Sequence, residues 1–83
     1  PNPFNPVTSI SYEISEESFV TISVYNMMGQ KVTDLVHDQR SVGYHLTEWN
    51  GTNLAGDPVS SGVYIYTVEA DNFRSVKKMV LMK

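Results

Sequence analysis

Groups able to do chemistry are sparse in this chain. His37 and His45 are its two histidines. Neither stands in a ligand spacing such as His-Glu-x-x-His, so both read as surface or packed imidazoles rather than metal ligands. Asn50, Asn53 and Asp57 have the oxygen-rich look of a calcium loop, but their offsets miss the alternating acidic pattern and its closing glutamate. A turn accounts for them. Asn50-Gly51-Thr52 is formally a glycosylation acceptor and equally a strong turn pair. No serine lies in a Gly-x-Ser-x-Gly elbow, and no glycine-rich phosphate loop leads from a strand into a helix. The expectation is a protein that is not an enzyme and needs neither cofactor nor metal.

The remaining chemistry is charge and aromatic surface. Arg74, Lys77, Lys78 and Lys83 place +4 in the last ten residues with no acid among them, leaving two basic against nine acidic residues, or −7, in the first 73. Lysines on an edge strand discourage aggregation, and the same charges can serve recognition; the residues alone leave both open. A net charge of −3 argues against a nucleic-acid platform. The nine aromatics fall mostly on alternating, core-facing positions, where packing explains them better than ligand stacking.

The cations must be positioned by the last stretch of chain, which reads as a β-hairpin. Val63 to Ala70 and Phe73 to Met82 are rich in β-branched, aromatic and long apolar residues. Asp71-Asn72 between them are residue types that tolerate positive φ. A two-residue loop sets Glu69 opposite Arg74, Thr67 opposite Val76, Tyr66 opposite Lys77, Ile65 opposite Lys78 and Tyr64 opposite Met79. The core face then carries Tyr64, Tyr66, Val68, Ala70, Phe73, Met79 and Leu81, with Ser75 and Lys77 as its polar members. The outer face carries Val63, Ile65, Thr67, Glu69, Arg74, Val76, Lys78, Val80 and Met82, with Glu69 and Arg74 as an opposite-charge pair. A three-residue loop would exchange the faces, because a one-residue slip inverts every side chain.

Upstream, three prolines among residues 1–6 forbid helix and predict a stiff, extended lead-in. Thr8 to Ile14 alternates strictly, with Ile10, Tyr12 and Ile14 on one face. Ser15 to Ser18 reads as a turn and Phe19 to Asn26 as a second strand built on Val20, Ile22 and Val24. Asn26-Met27-Met28-Gly29 is a turn, Gln30 to Val36 a third strand paired with the second, and His37 to Val42 a polar loop. Gly43 to Asn50 forms a fourth strand with His45, Thr47 and a buried Trp49 on one face. Residues 50–62 carry turn residues at nearly every step, with one short strand near Val59. Short strands at such spacing, without an amphipathic helical stretch, predict an all-β antiparallel sandwich.

An 83-residue chain allows one domain with a modest core. Pro1 is not an initiator, so a longer polypeptide, with any export signal on its missing part, is expected. The absence of cysteine removes disulfide and thiolate chemistry. No stretch is long and apolar enough for a membrane-spanning helix.

In order along the chain stand Pro1-Asn2-Pro3-Phe4-Asn5-Pro6, Tyr25-Asn26 with Gly29-Gln30 and Val32, and Gly43-x-His45 with Trp49-Asn50-Gly51. Gly56, Ser61-Gly62-Val63-Tyr64 and Lys77-Lys78-Met79-Val80-Leu81 follow. This succession resembles the C-terminal sorting domain of type IX secretion system cargo over essentially the whole chain. The resemblance implies an Ig-like sandwich of about seven short strands over residues 1–83, with residues 1–6 leading in from a parent domain. It further implies recognition by the outer-membrane secretion machinery, with Gly62, Tyr64, Lys77, Lys78 and Lys83 carrying the functional weight. A monomer on a secreted or surface-displayed protein, exported through the periplasm and outer membrane of a Gram-negative-type bacterium, is expected. Thr47 departs from the apolar residue usual two positions before the tryptophan, which touches the packing of that strand. The runner-up is an accessory Ig-like module binding polysaccharide or a cell surface, and a third reading is a structural domain of the flagellar-cap type, which shares the Trp-x-Gly and Gly-x-Tyr elements.

Overall fold

The computed structural model describes residues 7–71 and 73–83. Six strands follow in chain order: β1 Thr8–Ile14, β2 Ser18–Tyr25, β3 Lys31–Arg40, β4 Gly43–Trp49, β5 Gly62–Ala70 and β6 Phe73–Leu81. All pairings are antiparallel. β1 and β4 form a two-stranded sheet, and a four-stranded sheet runs in the order β3-β2-β5-β6. The two sheets make a β-sandwich without helix among the described residues, as the alternating sequence requires.

The core lies where the alternating positions of the two sheets meet. Ile10 and Ile14 of β1 and Trp49 of β4 cover Val20, Ile22 and Val24 of β2, with Tyr64 and Val68 of β5 and Met79 and Leu81 of β6. Trp49 is 1% exposed, donates its indole N–H to the Thr52 carbonyl at 2.9 Å and stands edge-on to Tyr64 with 5.0 Å between ring centroids. Burying a tryptophan needs such an outlet for its one polar atom. Thr47, the polar residue two positions earlier, stays half-buried on the same face.

Two tight turns share one device. At Asn26-Met27-Met28-Gly29-Gln30, the Asn26 side-chain oxygen accepts from the Met28 and Gln30 amides at 2.9 and 3.0 Å. At Asn53-Leu54-Ala55-Gly56-Asp57, the Asn53 side-chain oxygen accepts from Ala55 and Asp57, both at 3.0 Å. Gly29 takes φ 85° and Gly56 φ 86°, a left-handed backbone that glycine adopts without a Cβ penalty. The Asn53 oxygen is thus engaged by its own turn, which supports the turn reading over a calcium loop.

Four expectations need correction. Residues 37–40, expected as loop, continue β3 and pair with Ser18 to Thr21. This is an edge strand, so polar side chains meet solvent while the backbone still completes the ladder. Near Val59 there is an isolated bridge, Thr52 with Pro58, rather than a strand, though Val59 packs half-buried on the core. Phe73, assigned to the core face, is 56% exposed, because it lines an open cleft with Glu13 and Ile14 of β1 instead of packing against them. Thr67 departs in the other sense: it sits on the outer face yet is buried, at the centre of the four-stranded sheet between Ser23 and Val76.

Candidate functional site

The terminal hairpin has the register of a two-residue connection throughout, from Ala70 opposite Phe73 to Gly62 opposite Leu81. The connection is residues 71 and 72; Asp71 does not have positive φ, and Asn72 lies outside the described residues. β6 is the edge of the four-stranded sheet, paired with β5 on one side. In a two-residue hairpin the closing pair exchanges both backbone hydrogen bonds, and bonded and non-bonded pairs then alternate. Phe73, Ser75, Lys77, Met79 and Leu81 therefore spend their backbone groups on β5. Those of Arg74, Val76, Lys78 and Val80 point away from the sheet. The Lys83 amide obeys the same parity, turning back to donate to Ser61 Oγ at 3.1 Å.

The five residues singled out in sequence are distributed unequally over this hairpin. Gly62 opens β5 with φ 155°, and nothing lies within 4 Å of where a Cβ would sit, so the position demands glycine for backbone reasons rather than for space. Tyr64 is 6% exposed; its hydroxyl donates to the Ser60 carbonyl at 2.6 Å and its ring packs against Trp49. It offers no surface to a partner. Lys77 and Lys78, consecutive on a strand, project to opposite faces. Lys77 opens into a cleft of about 310 Å³, shared with Tyr12, Glu13, Tyr66, Phe73 and Ser75. Lys78 stands on the outer face opposite Ile65. The lysine side chains are exposed, as is Lys83. Lys77, Lys78 and Lys83 thus lie along β6 and the segment after it, Gly62 opens the neighbouring β5, and Tyr64 is buried.

The outer face around Lys78 is partly apolar. Val63 lies directly opposite Val80, and Val76, Val80 and Met82 are each more than half exposed. Sequence reasoning found this stripe by alternation. Glu69 and Arg74 are register partners, but the ion pairs among the described residues lie elsewhere: Lys31–Asp34 at 3.2 Å and Arg40–Asp38 at 2.8 Å. Missed by sequence was a polar contact across the sheet, Ser23 Oγ donating to Asp34 at 2.6 Å. That bond, with help from Lys31 and His37 and against partial burial, holds the Asp34 carboxyl below its ordinary value. Its signal was a serine facing an aspartate on paired strands, visible only once a bulge in β3 sets the register.

Comparison with known proteins points to one family and to one fold. The family model described as "Secretion system C-terminal sorting domain" matches residues 1–82. Among solved structures, the crystal structure of FlgD from P. aeruginosa superposes with a TM-score of 0.71 at 18% identity, over 90% of this chain and 58% of that one. At that identity the likeness is one of fold. A search of curated proteins gives no match.

Proposed function

Because the chain belongs to the secretion system C-terminal sorting domain family, whose model covers residues 1–82, we propose that it is a non-catalytic module carrying an attached protein through the outer-membrane type IX machinery. The observation that carries this reading beyond the family is the cationic edge strand. β6 and Lys83 hold every lysine and arginine after Arg40 and no acid, and β6 is an open sheet edge. Apolar contact with Val76, Val80 and Met82 would supply affinity, and the charge would orient and speed encounter. Gly62, Lys77, Lys78 and Lys83 form the contact rim, and Tyr64 acts through packing, by fixing β5 against Trp49.

The test separates folding from recognition. Lys78→Glu with Lys83→Glu changes exposed side chains, and the Lys83 contact to Ser61 uses the backbone amide, so the fold should survive. The double variant is expected to melt with the parent yet reduce export of a reporter carrying the chain at its C-terminus. Moving the intact domain away from the C-terminus should also impair export. A folded double variant exporting at the parental rate would reduce the charge to edge protection and refute the cationic-strand reading.

A further inference from the structure

Lys77 and Lys78 are adjacent in sequence but face opposite sides of the sheet. A partner lying flat on either face reaches one of them. A strand running alongside β6 passes between both, and there it also meets the outward backbone groups of Arg74, Val76, Lys78 and Val80. We propose that β6 is completed by strand addition, its free edge accepting an extended acidic segment of the partner; this rests on the reading of β6 as the recognition strand.

The partner's chemistry follows position by position from β6. An antiparallel neighbour needs apolar residues beside Met82, Leu81, Val80 and Met79. It then needs two consecutive acids beside Lys78 and Lys77, an apolar residue beside Val76, a polar one beside Ser75 and an acid beside Arg74. Charge also excludes the commonest wrong partner. A second copy of β6 would bring cations against cations with no acid after residue 71 to relieve them. The edge is thus closed to itself and open to a strand of opposite sign. Strand addition supplies affinity through main-chain hydrogen bonds and selectivity through alternate side chains.

The probe is a synthetic nonapeptide, Val-Ile-Val-Val-Glu-Glu-Val-Ser-Glu, titrated into the 83-residue chain while backbone amide exchange is followed by NMR. The amides of Val76, Lys78 and Val80 are expected to slow by about tenfold or more at saturation, as amides entering a ladder do. Those of Ser75, Lys77 and Met79, already bonded to β5, should stay unchanged. Replacing the three glutamates by lysine should weaken binding by about tenfold or more. Methylating alternate peptide nitrogens should abolish the protection. Val80→Pro removes an outward donor and leaves the β5 ladder intact, so it should weaken binding while the domain stays folded. Peptide binding without protection of these amides, equal protection by the lysine peptide, or no binding at millimolar peptide each overturns strand addition. If one of these occurs while Lys78→Glu with Lys83→Glu still cuts export, strand addition fails and the recognition role of β6 stands. Unaltered export instead sinks that role.

Discussion

Replacing Tyr64 by phenylalanine removes one oxygen from a ring that otherwise keeps its place, and so asks whether this residue serves the fold or the partner. The hydroxyl donates to the Ser60 carbonyl at 2.6 Å. Ser60 is exposed, so its carbonyl can turn to water once the partner is gone. The loss is then the net worth of one hydrogen bond, about 1 kcal/mol, which lowers the Tm of a domain this size by about 4–8 °C. Tyr64→Ala also removes a buried ring. Truncating a large aromatic costs about 3–5 kcal/mol, and loss of the edge contact to Trp49 adds about 0.5–1.5 kcal/mol. That approaches the entire stability of a small domain, about 5–15 kcal/mol. Urea unfolding read by the fluorescence of Trp49, the single tryptophan, measures both variants, with reporter export measured in parallel. Tyr64→Phe should export nearly as the parent and Tyr64→Ala only to the extent that it folds. A phenylalanine variant of unchanged Tm that loses export would place the hydroxyl in the recognition surface and refute the packing role.

Trp49→Ala should cost about 3–5 kcal/mol, and an unchanged melting curve would contradict its burial at 1% exposure. Gly62→Ala should destabilise by about 1–3 kcal/mol through backbone conformation alone, since no atom crowds the new methyl; thermal unfolding checks this. The lowered Asp34 carboxyl contributes stability that is fully present above its unfolded value, near 3.8, and is lost as pH falls through the lower folded value. Ser23→Ala should cost about 1 kcal/mol at neutral pH and flatten this acid loss, which urea midpoints between pH 5 and 2 would show as roughly parallel decline if the reasoning were wrong.

Much of the architecture was legible because burial imposes period two on a strand. Ile10, Ile14, Val20, Ile22, Val24 and Trp49 all turn inward as their alternation requires, and the register of β5 on β6 follows from the length of one loop. Residues 37–40 were not legible, since an edge strand can be as polar as a loop when solvent bathes its side chains and its pairing partner lies elsewhere in sequence. Phe73 shows the complementary failure: periodicity assigns a side to a residue but not whether the opposite sheet closes over it or leaves a cleft. At the site, the lysines were legible as charge. Their projection to both faces of an open edge depended on sheet order, and the burial of Tyr64 depended on its meeting Trp49 across the sandwich.

The pairing of β2 with β5 has a kinetic meaning. The four-stranded sheet consists of two local hairpins, β2-β3 and β5-β6, joined along this one seam between segments distant in sequence. Local hairpins form fast, whereas closing a long loop to bring such segments together is slow. A chain synthesised from its N-terminus can therefore pair β1 with β4 and β2 with β3, but β2 keeps an open side and the core lacks Tyr64, Val68, Met79 and Leu81 until the last hairpin arrives. Cooperative folding is thus deferred until residue 81 is available. The edge proposed for recognition comes into existence in the same step that completes the fold, so a truncated or nascent chain presents no readable signal.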